Sequence, residues 1–458
     1  MHLSRSLLLA AVLVCISMPV VAFDQPDEVF PAATLASVLP PVAPDPAGTN
    51  TFDIDSAQAP VAADPPPLPA TMDLTAAPVG LWQRIRNGFG LPDLSSPLVR
   101  EQEEWYANRQ EYISRTVARS SRYLYHIVEA VEKRGMPSEI ALLPIIESAY
   151  NPVAYSHAHA SGIWQFIPST GKRYGLQQNF WYDGRRDVMA ATQAALDYLE
   201  TLYEMFGSWD LALAAYNWGE NAVSRAIAKN LAKGLPTDYQ SLTMPKETRY
   251  YVPKLQAVKN IIADPARYGI ALEEVANQPY FVAVTTTRHI DVKLAARLAE
   301  VPLEEFISLN PAYSRPVIRV DGEQTLLLPA DKADTFRANL ENHNQPLVSW
   351  QTYKLKSGEG VEHVARRHGL SVAQLKQVSG FAGRRRVPPG STLLVPAGGS
   401  AAPHLPNLPA SPVVLAKTPK KSAKNAQTVQ ARKTAKKSRN RQAPENHGQT
   451  GAGKVALH

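Results

Sequence analysis

"ALLPIIESAYNP", residues 141–152, sets a carboxylate at the end of an apolar run that only Pro144 interrupts. Just upstream, Gly135 stops one helical pattern and Pro137 suits the first turn of the next, so the spacing predicts a helix over about 137–148 that ends at Glu147. Working outward, Ile113, Val117, Leu124, Ile127 and Val131 recur at helical spacing, with Trp105 upstream, and predict helix between Pro97 and Lys133. Further helical stretches are expected at about 187–206, 208–217, 219–231 and 247–263. No segment here alternates strictly enough to be read as a strand. Residues 81–270 therefore read as one mainly helical domain.

A carboxyl group pressed against apolar neighbours has its charged form disfavoured, so it holds a proton nearer neutrality, as a general acid must. Three other stretches add candidates. "SGIWQFIPSTGKRYG" (161–175) places Gly162, Trp164 and Gln165 in a loop ahead of a short helix from Pro168. "AAYNWGEN" (214–221) puts Tyr216 and Asn217 at a helix end before Gly219, and "ETRYYVPKL" (247–255) adds Tyr250 and Tyr251. Each alone reads as a packing or capping element.

Together and in this order, Glu147-Ser148, Gly162 to Gln165, Ala215-Tyr216-Asn217 and a late tyrosine resemble the family 1 lytic transglycosylases of bacterial peptidoglycan. The resemblance implies a lysozyme-like, mainly α fold in which Glu147 protonates the oxygen between MurNAc and GlcNAc. The resulting carboxylate then takes the proton from the sugar's own C6 hydroxyl as it closes on C1, leaving a 1,6-anhydro end. With the nucleophile inside the substrate, no second carboxylate, metal or cofactor is implied. Carried over residue by residue, Ser148 and Gln165 hold substrate in the loop that also brings Gly162 and Trp164. Asn217 binds sugar amide or hydroxyl groups, and Tyr216 and Tyr251 flank Glu147; Tyr251 fits the family's Tyr-Val pair better than Tyr250 does. Trp164 stands where smaller apolar residues such as Met are frequent, a departure expected to change subsite width. The rival on the same fold, a goose-type lysozyme hydrolase, needs a second acid such as Asp183 or Asp187.

Beyond the helical block the chain repeats itself. Ala296, Leu303, Phe306 and Leu309 overlay Ala365, Val372, Leu375 and Val378, and "LLLP" at 326–329 overlays "LLVP" at 393–396. Each unit (280–330 and 350–397) reads as strand, two short helices, strand, with "YKLK" (353–356) and "TLLVP" (392–396) as the paired strands of the second. These small α+β (βααβ) units resemble LysM modules, which bind N-acetylglucosamine-containing chains. The resemblance assigns glycan binding in the second unit to Ser357, Gly358 and Glu359, with Glu359-Gly360 standing where Asp-Thr is common. The first unit has "TTRHID" in place of a Ser-Gly loop, which leaves it either a structural remnant or a sugar binder.

The first 22 residues read as a secretory signal: Arg5, an apolar run from Leu7 to Ile16, then Val20 and Ala22 around a cleavage point. Export to the periplasm or cell envelope is the expectation, with outer-membrane association open. The one cysteine, Cys15, lies inside that run rather than behind a small residue at its end, so neither a lipid anchor nor a disulfide is expected. Residues 23–80, rich in Pro, Ala and Asp, read as a disordered spacer, and 398–458 as a disordered basic tail. The formal net charge of +7 belongs to that tail, so anionic envelope polymers are its expected partners. The tail lacks aromatic residues for stacking, and nucleic acid is not expected. His157 and His159 have no third ligand at metal spacing, so no metal site is expected.

Overall fold

The structure, a computed structural model, describes residues 80–398 apart from residue 385. The expected signal segment, the spacer except Gly80 and the basic tail except Gly398 lie outside the described residues.

The helical block opens with α1 (Leu81–Asn87), α2 (Pro97–Ala107), α3 (Gln110–Ser120) and α4 (Leu124–Lys133). Ser96 caps α2 by accepting from Leu98 N, and Pro97 occupies a first-turn position, where its missing N–H costs nothing. The apolar pattern between Pro97 and Lys133 thus resolves into three helices. The turn at Asn108-Arg109 and the turn before Leu124 break the backbone ladder, while the core-facing spacing carries on. Similarly, the segment after Gly135 is a 3-10 turn (Ser138–Leu142) leading into α5 (Leu143–Ser148), rather than one continuous helix. Pro144 falls in the first turn of α5, so a fresh helix start there accommodates it.

Then come α6 (Pro168–Arg173), α7 (Val188–Phe206), α8 (Trp209–Trp218), α9 (Glu220–Leu231) and α10 (Lys246–Ala263). Asp187 caps α7 through Ala190 N. Among the described residues of this block, extended pairing is limited to isolated bridges such as Tyr155–Ser161 and Ser161–Phe166. The long helix α7 runs fully buried through the core at Ala195, Leu196, Leu199 and Leu202, packed against α8 and α4.

Pro253 lies inside α10 and removes one N–H from its ladder. The gap is filled from outside. The Tyr239 hydroxyl is within hydrogen-bonding distance of the carbonyls of Thr248 (2.7 Å) and Arg249 (2.9 Å) and accepts from Val252 N (3.4 Å). The irregular turn so supported is the one that carries Tyr251.

The first repeat unit comprises β1 (Phe281–Thr286), β2 (Ile290–Asp291), α11 (Val292–Leu298), α12 (Leu303–Leu309), β3 (Val317–Ile318) and β4 (Gln324–Pro329), followed by α13 (Ala333–Glu341). β1 and β4 pair antiparallel from Phe281↔Pro329 to Thr286↔Gln324. Its core continues through Phe336 of α13 to Leu347. The second unit has β5 (Trp350–Lys354), α14 (Val361–Arg367), α15 (Val372–Val378) and β6 (Thr392–Pro396), with Trp350↔Pro396 and Lys354↔Thr392 ending the ladder. β5 therefore starts three residues before the expected Tyr353.

The first unit is docked on the helical block. Phe281, Leu309 and Leu327 belong to the same buried cluster as Leu124 and Leu196. Polar bonds fix the contact: Tyr123 Oη to Ser308 O (2.8 Å), Asp183 N to Ala312 O (3.0 Å) and Ser314 N to Trp181 O (3.3 Å). His126 stacks on Phe281 at 4.0 Å. Arg315, 2% exposed, lies over the Phe180 ring at 4.5 Å.

Candidate active site

Glu147 sits in the last turn of α5, half-buried, after the buried Ile145 and Ile146. Tyr251 of α10 donates its hydroxyl to Glu147 Oε1 at 2.5 Å. Burial pushes the Glu147 carboxyl up from its ordinary value to about 7, and the negative Glu247 adds to the rise; the Tyr251 hydrogen bond and the Lys254 charge oppose it. Burial and the neighbouring Glu147 hold the Tyr251 hydroxyl well above its ordinary value, so it stays a neutral donor.

Directly after Glu147-Ser148, Ala149 and Tyr150 both take left-handed backbone (φ 49° and 54°), as does Gln165 (φ 49°). Side-chain-bearing residues adopt that conformation at a cost of about 1–2 kcal/mol each, so the surrounding structure must enforce it. Tyr150, fully buried, is pinned through its hydroxyl to Ala141 O at 2.6 Å. Ser148 donates to Ile163 O at 3.0 Å and so ties the end of α5 to the 161–167 loop.

That loop is held from its other side by two buried arginines. Arg185 donates to His159 O (2.6 Å) and Phe166 O (3.2 Å), and Arg186 to Ser161 Oγ (2.9 Å). Gly162 (φ 82°) presses against this support: a Cβ there would lie 2.0 Å from Arg185 O, so only glycine fits. Gln165 Nε2 donates back to Gly162 O at 2.7 Å, and among the described residues no donor occupies its Oε1.

The expectation that Trp164 shapes a subsite is corrected. Its side chain is fully buried and donates to Thr192 Oγ1 of α7 at 2.9 Å, so it fastens the loop to the core. Only its carbonyl serves the site, accepting the Tyr216 hydroxyl at 2.9 Å. Tyr216, at the end of α8, is close enough to Glu147 for that charge to help burial raise its hydroxyl well above the ordinary range. Behind it lies Tyr198 at 5.5 Å, whose hydroxyl bonds Glu220, itself paired with Arg173. Asn217 Oδ1 accepts from Thr248 Oγ1 at 2.8 Å, which orients the amide and leaves its Nδ2 without an acceptor among the described residues.

Glu147, Ser148, Gly162, Gln165, Tyr216, Asn217 and Tyr251 thus come together from four segments, with Trp164 beneath them. The sequence reading missed Glu247 and Lys254. They stand four residues before and three after Tyr251, on the helix face that the Tyr251–Glu147 bond turns toward the acid. That spacing around the late tyrosine was the available signal.

Asp183 and Asp187, the acids considered for a hydrolase, are engaged elsewhere. Asp183 is buried in a two-pronged pair with Arg185 (2.9 and 2.7 Å), and Asp187 caps α7 while accepting from Tyr182 Oη at 2.6 Å. His159 Nδ1 meets the Tyr155 hydroxyl at 2.7 Å.

In the second repeat unit, Ser357 and Gly358 (φ 77°) form an exposed turn. Glu359 departs from the expected glycan-facing role: Tyr353 Oη lies 2.8 Å from both its oxygens, and Lys356 N donates at 3.2 Å. These bonds hold its carboxyl below its ordinary value and close the loop on itself.

Comparison with known proteins identifies the parts of the chain. Residues 125–235 match the transglycosylase SLT domain, 280–345 the LysM-like domain of lytic transglycosylase MltD, and 353–396 the LysM domain. The chain is 37% identical over 339 residues to membrane-bound lytic murein transglycosylase D of Escherichia coli, covering 71% of this chain and 75% of that one. It is 50% identical over 127 residues to a putative tributyltin chloride resistance protein of an Alteromonas species (28% and 61% covered). A putative soluble lytic murein transglycosylase of Haemophilus influenzae is 32% identical over 115 residues (24% and 19%).

Proposed function

Given that this chain belongs to the lytic murein transglycosylases, with an SLT domain followed by LysM domains, we propose that it cuts the MurNAc-GlcNAc β-1,4 bond of peptidoglycan without water and leaves 1,6-anhydro-MurNAc ends. The observation that carries this reading is the half-buried carboxyl of Glu147, raised to about 7 and bonded by Tyr251.

Near neutrality such a group is protonated in a large fraction of molecules and can give its proton to the glycosidic oxygen as the C1–O bond breaks. The carboxylate left behind is stabilised by the Tyr251 hydroxyl and the Lys254 charge. It then accepts the proton of the C6 hydroxyl as that oxygen bonds to C1, which returns Glu147 to its starting form. Because the nucleophile belongs to the same sugar, its effective concentration is high and no positioned water is needed. Gln165 Oε1 and Asn217 Nδ2 offer an acceptor and a donor to the sugar's hydroxyl and acetamido groups. Ser148, Gly162 and Trp164 act on the substrate only through the loop they hold. The second LysM unit supplies retention on the glycan, with Ser357 and Gly358 as its exposed turn. The chain works in the cell envelope, and the basic tail adds attraction to anionic polymers there.

Digestion of purified sacculi in heavy-oxygen water tests the chemistry. Intramolecular attack yields unlabelled ends that borohydride does not reduce. Predominantly labelled, reducible ends overturn the proposal and direct attention to Glu247, the acid within electrostatic reach of Glu147, as the base for a water.

A further inference from the structure

A cavity of about 580 Å³ opens between the first turns of α2 and α10, lined by Pro97, Leu98, Met244, Lys246, Arg249 and Tyr250. Its volume falls within the range of small-ligand and peptide pockets, roughly 300–1,000 Å³. Lys246, Arg249 and Tyr250 stand at i, i+3 and i+4, so they share one face of α10, adjoining the face that carries Glu247 and Tyr251. Lys246 and Arg249 are exposed, and among the described residues neither forms an ion pair; Lys246 Nζ lies 5.4 Å above the Tyr250 ring. The acid on this rim, Glu101, accepts from Tyr250 Oη at 3.0 Å, which holds the ring in place. The site therefore offers two cations outside any ion pair among the described residues, with the Glu101 carboxylate engaged by Tyr250, above a wall of Pro97, Leu98 and Met244. It is unoccupied by any role in the bond-breaking chemistry described above.

We propose that this groove binds the carboxylate-bearing peptide stem of peptidoglycan and makes stem-substituted glycan the preferred substrate. The inference rests on the transglycosylase reading for its substrate, and on the groove for its chemistry. A stem hangs from the MurNAc whose bond is cut, and Tyr250 adjoins Tyr251 in the chain, their Cα atoms about 3.8 Å apart. A stem leaving the sugar at Glu147 would reach the groove by crossing from the Glu247–Tyr251 face of α10 to the adjoining face of Lys246, Arg249 and Tyr250. Its carboxylates meet Lys246 and Arg249, while its methyl and methylene groups lie on the apolar wall and the Tyr250 ring. An anion without such groups would have no use for that wall.

The test uses the full chain, a Lys246→Glu/Arg249→Glu double variant and the milder Lys246→Gln/Arg249→Gln. Each is titrated with the free tetrapeptide L-Ala-γ-D-Glu-meso-diaminopimelate-D-Ala, and each is assayed on stem-bearing glycan and on glycan stripped by an amidase. The parent is expected to bind the tetrapeptide in a salt-sensitive way, the Gln pair more weakly and the Glu pair not measurably. The Glu pair should lose tenfold or more in kcat/KM on stem-bearing glycan and less than twofold on stripped glycan, which also reports an intact fold. No tetrapeptide binding by the parent, equal binding by all three proteins, or equal kinetic loss on both glycans overturns the proposal. A parent that cuts neither glycan refutes the transglycosylase reading instead, and the titration then still decides the groove.

Discussion

The Glu147 carboxyl is under opposed influences: burial and Glu247 favour its proton, whereas Tyr251 and Lys254 favour its charge. A group asked to give a proton and then take one back is served by such a balance near neutrality. Glu147→Gln, which can do neither, should lower turnover on the order of a thousandfold or more. The same variant gives a stability test. A carboxyl raised in the folded state is neutral in both states below the unfolded value near 4.5, and destabilises progressively as pH rises from there through about 7. Glu147→Gln should therefore melt above the parent at pH 8 and together with it near pH 4, followed by calorimetry. In the active protein, kcat/KM should fall as pH rises through about 7, as the acid loses its proton. Tyr251→Phe removes a bond that favours the carboxylate, so its falling limb should lie at higher pH than the parent's, on a lower rate overall. A limb shifted to lower pH would refute the assigned direction. Glu147 stood out in the sequence because an acid after Ile-Ile is a local pattern, whereas Tyr251 was singled out from Tyr250 only by the resemblance to the family's Tyr-Val pair. Trp164 was misread because a loop residue and a core residue look alike until Thr192 of α7 is brought beneath it. Glu247 and Lys254 were passed over because their spacing around Tyr251 carries meaning only once the Tyr251–Glu147 bond shows which face of α10 is turned to the acid.

At the scale of elements, α10 shows how a helix with a missing N–H can still aim a side chain. Pro253 opens the ladder, and the Tyr239 hydroxyl stands in the opening against Thr248 O, Arg249 O and Val252 N. Tyr239→Phe leaves these groups buried without that partner, at a cost of about 1–3 kcal/mol, to be read from urea unfolding. It should also lower kcat on glycan more than it raises KM, because Tyr251 is displaced from the acid. A variant with full stability and full turnover would mean the hydroxyl supports nothing. The helical character and rough limits of α7 to α10 could be read from apolar spacing. The breaks inside 97–133 and 137–148 could not, since the buried stripe runs on across turns that interrupt only backbone bonds. Nor could Tyr239, which lies outside any helix and finds its role across space.

The whole molecule joins a helical block to two βααβ units, the first of which shares the block's core. Removing residues 351–458 should weaken sedimentation with sacculi and leave cleavage of short soluble glycan nearly unchanged. Ending the chain at residue 275 should instead abolish the cooperative thermal transition, because Phe281, Leu309 and Leu327 are lost from the core of the helical block. The two βααβ units were visible in the sequence as an internal overlay, since each repeats its own small core. The docking of the first on the helical block was hidden: the bonds it makes with Tyr123, Trp181 and Asp183 involve backbone atoms, which any sequence possesses. That docking orders events during biosynthesis. A chain made from its N-terminus presents Glu147 long before Leu327 exists, so the wall-cutting residue emerges first and the core that must steady it closes last.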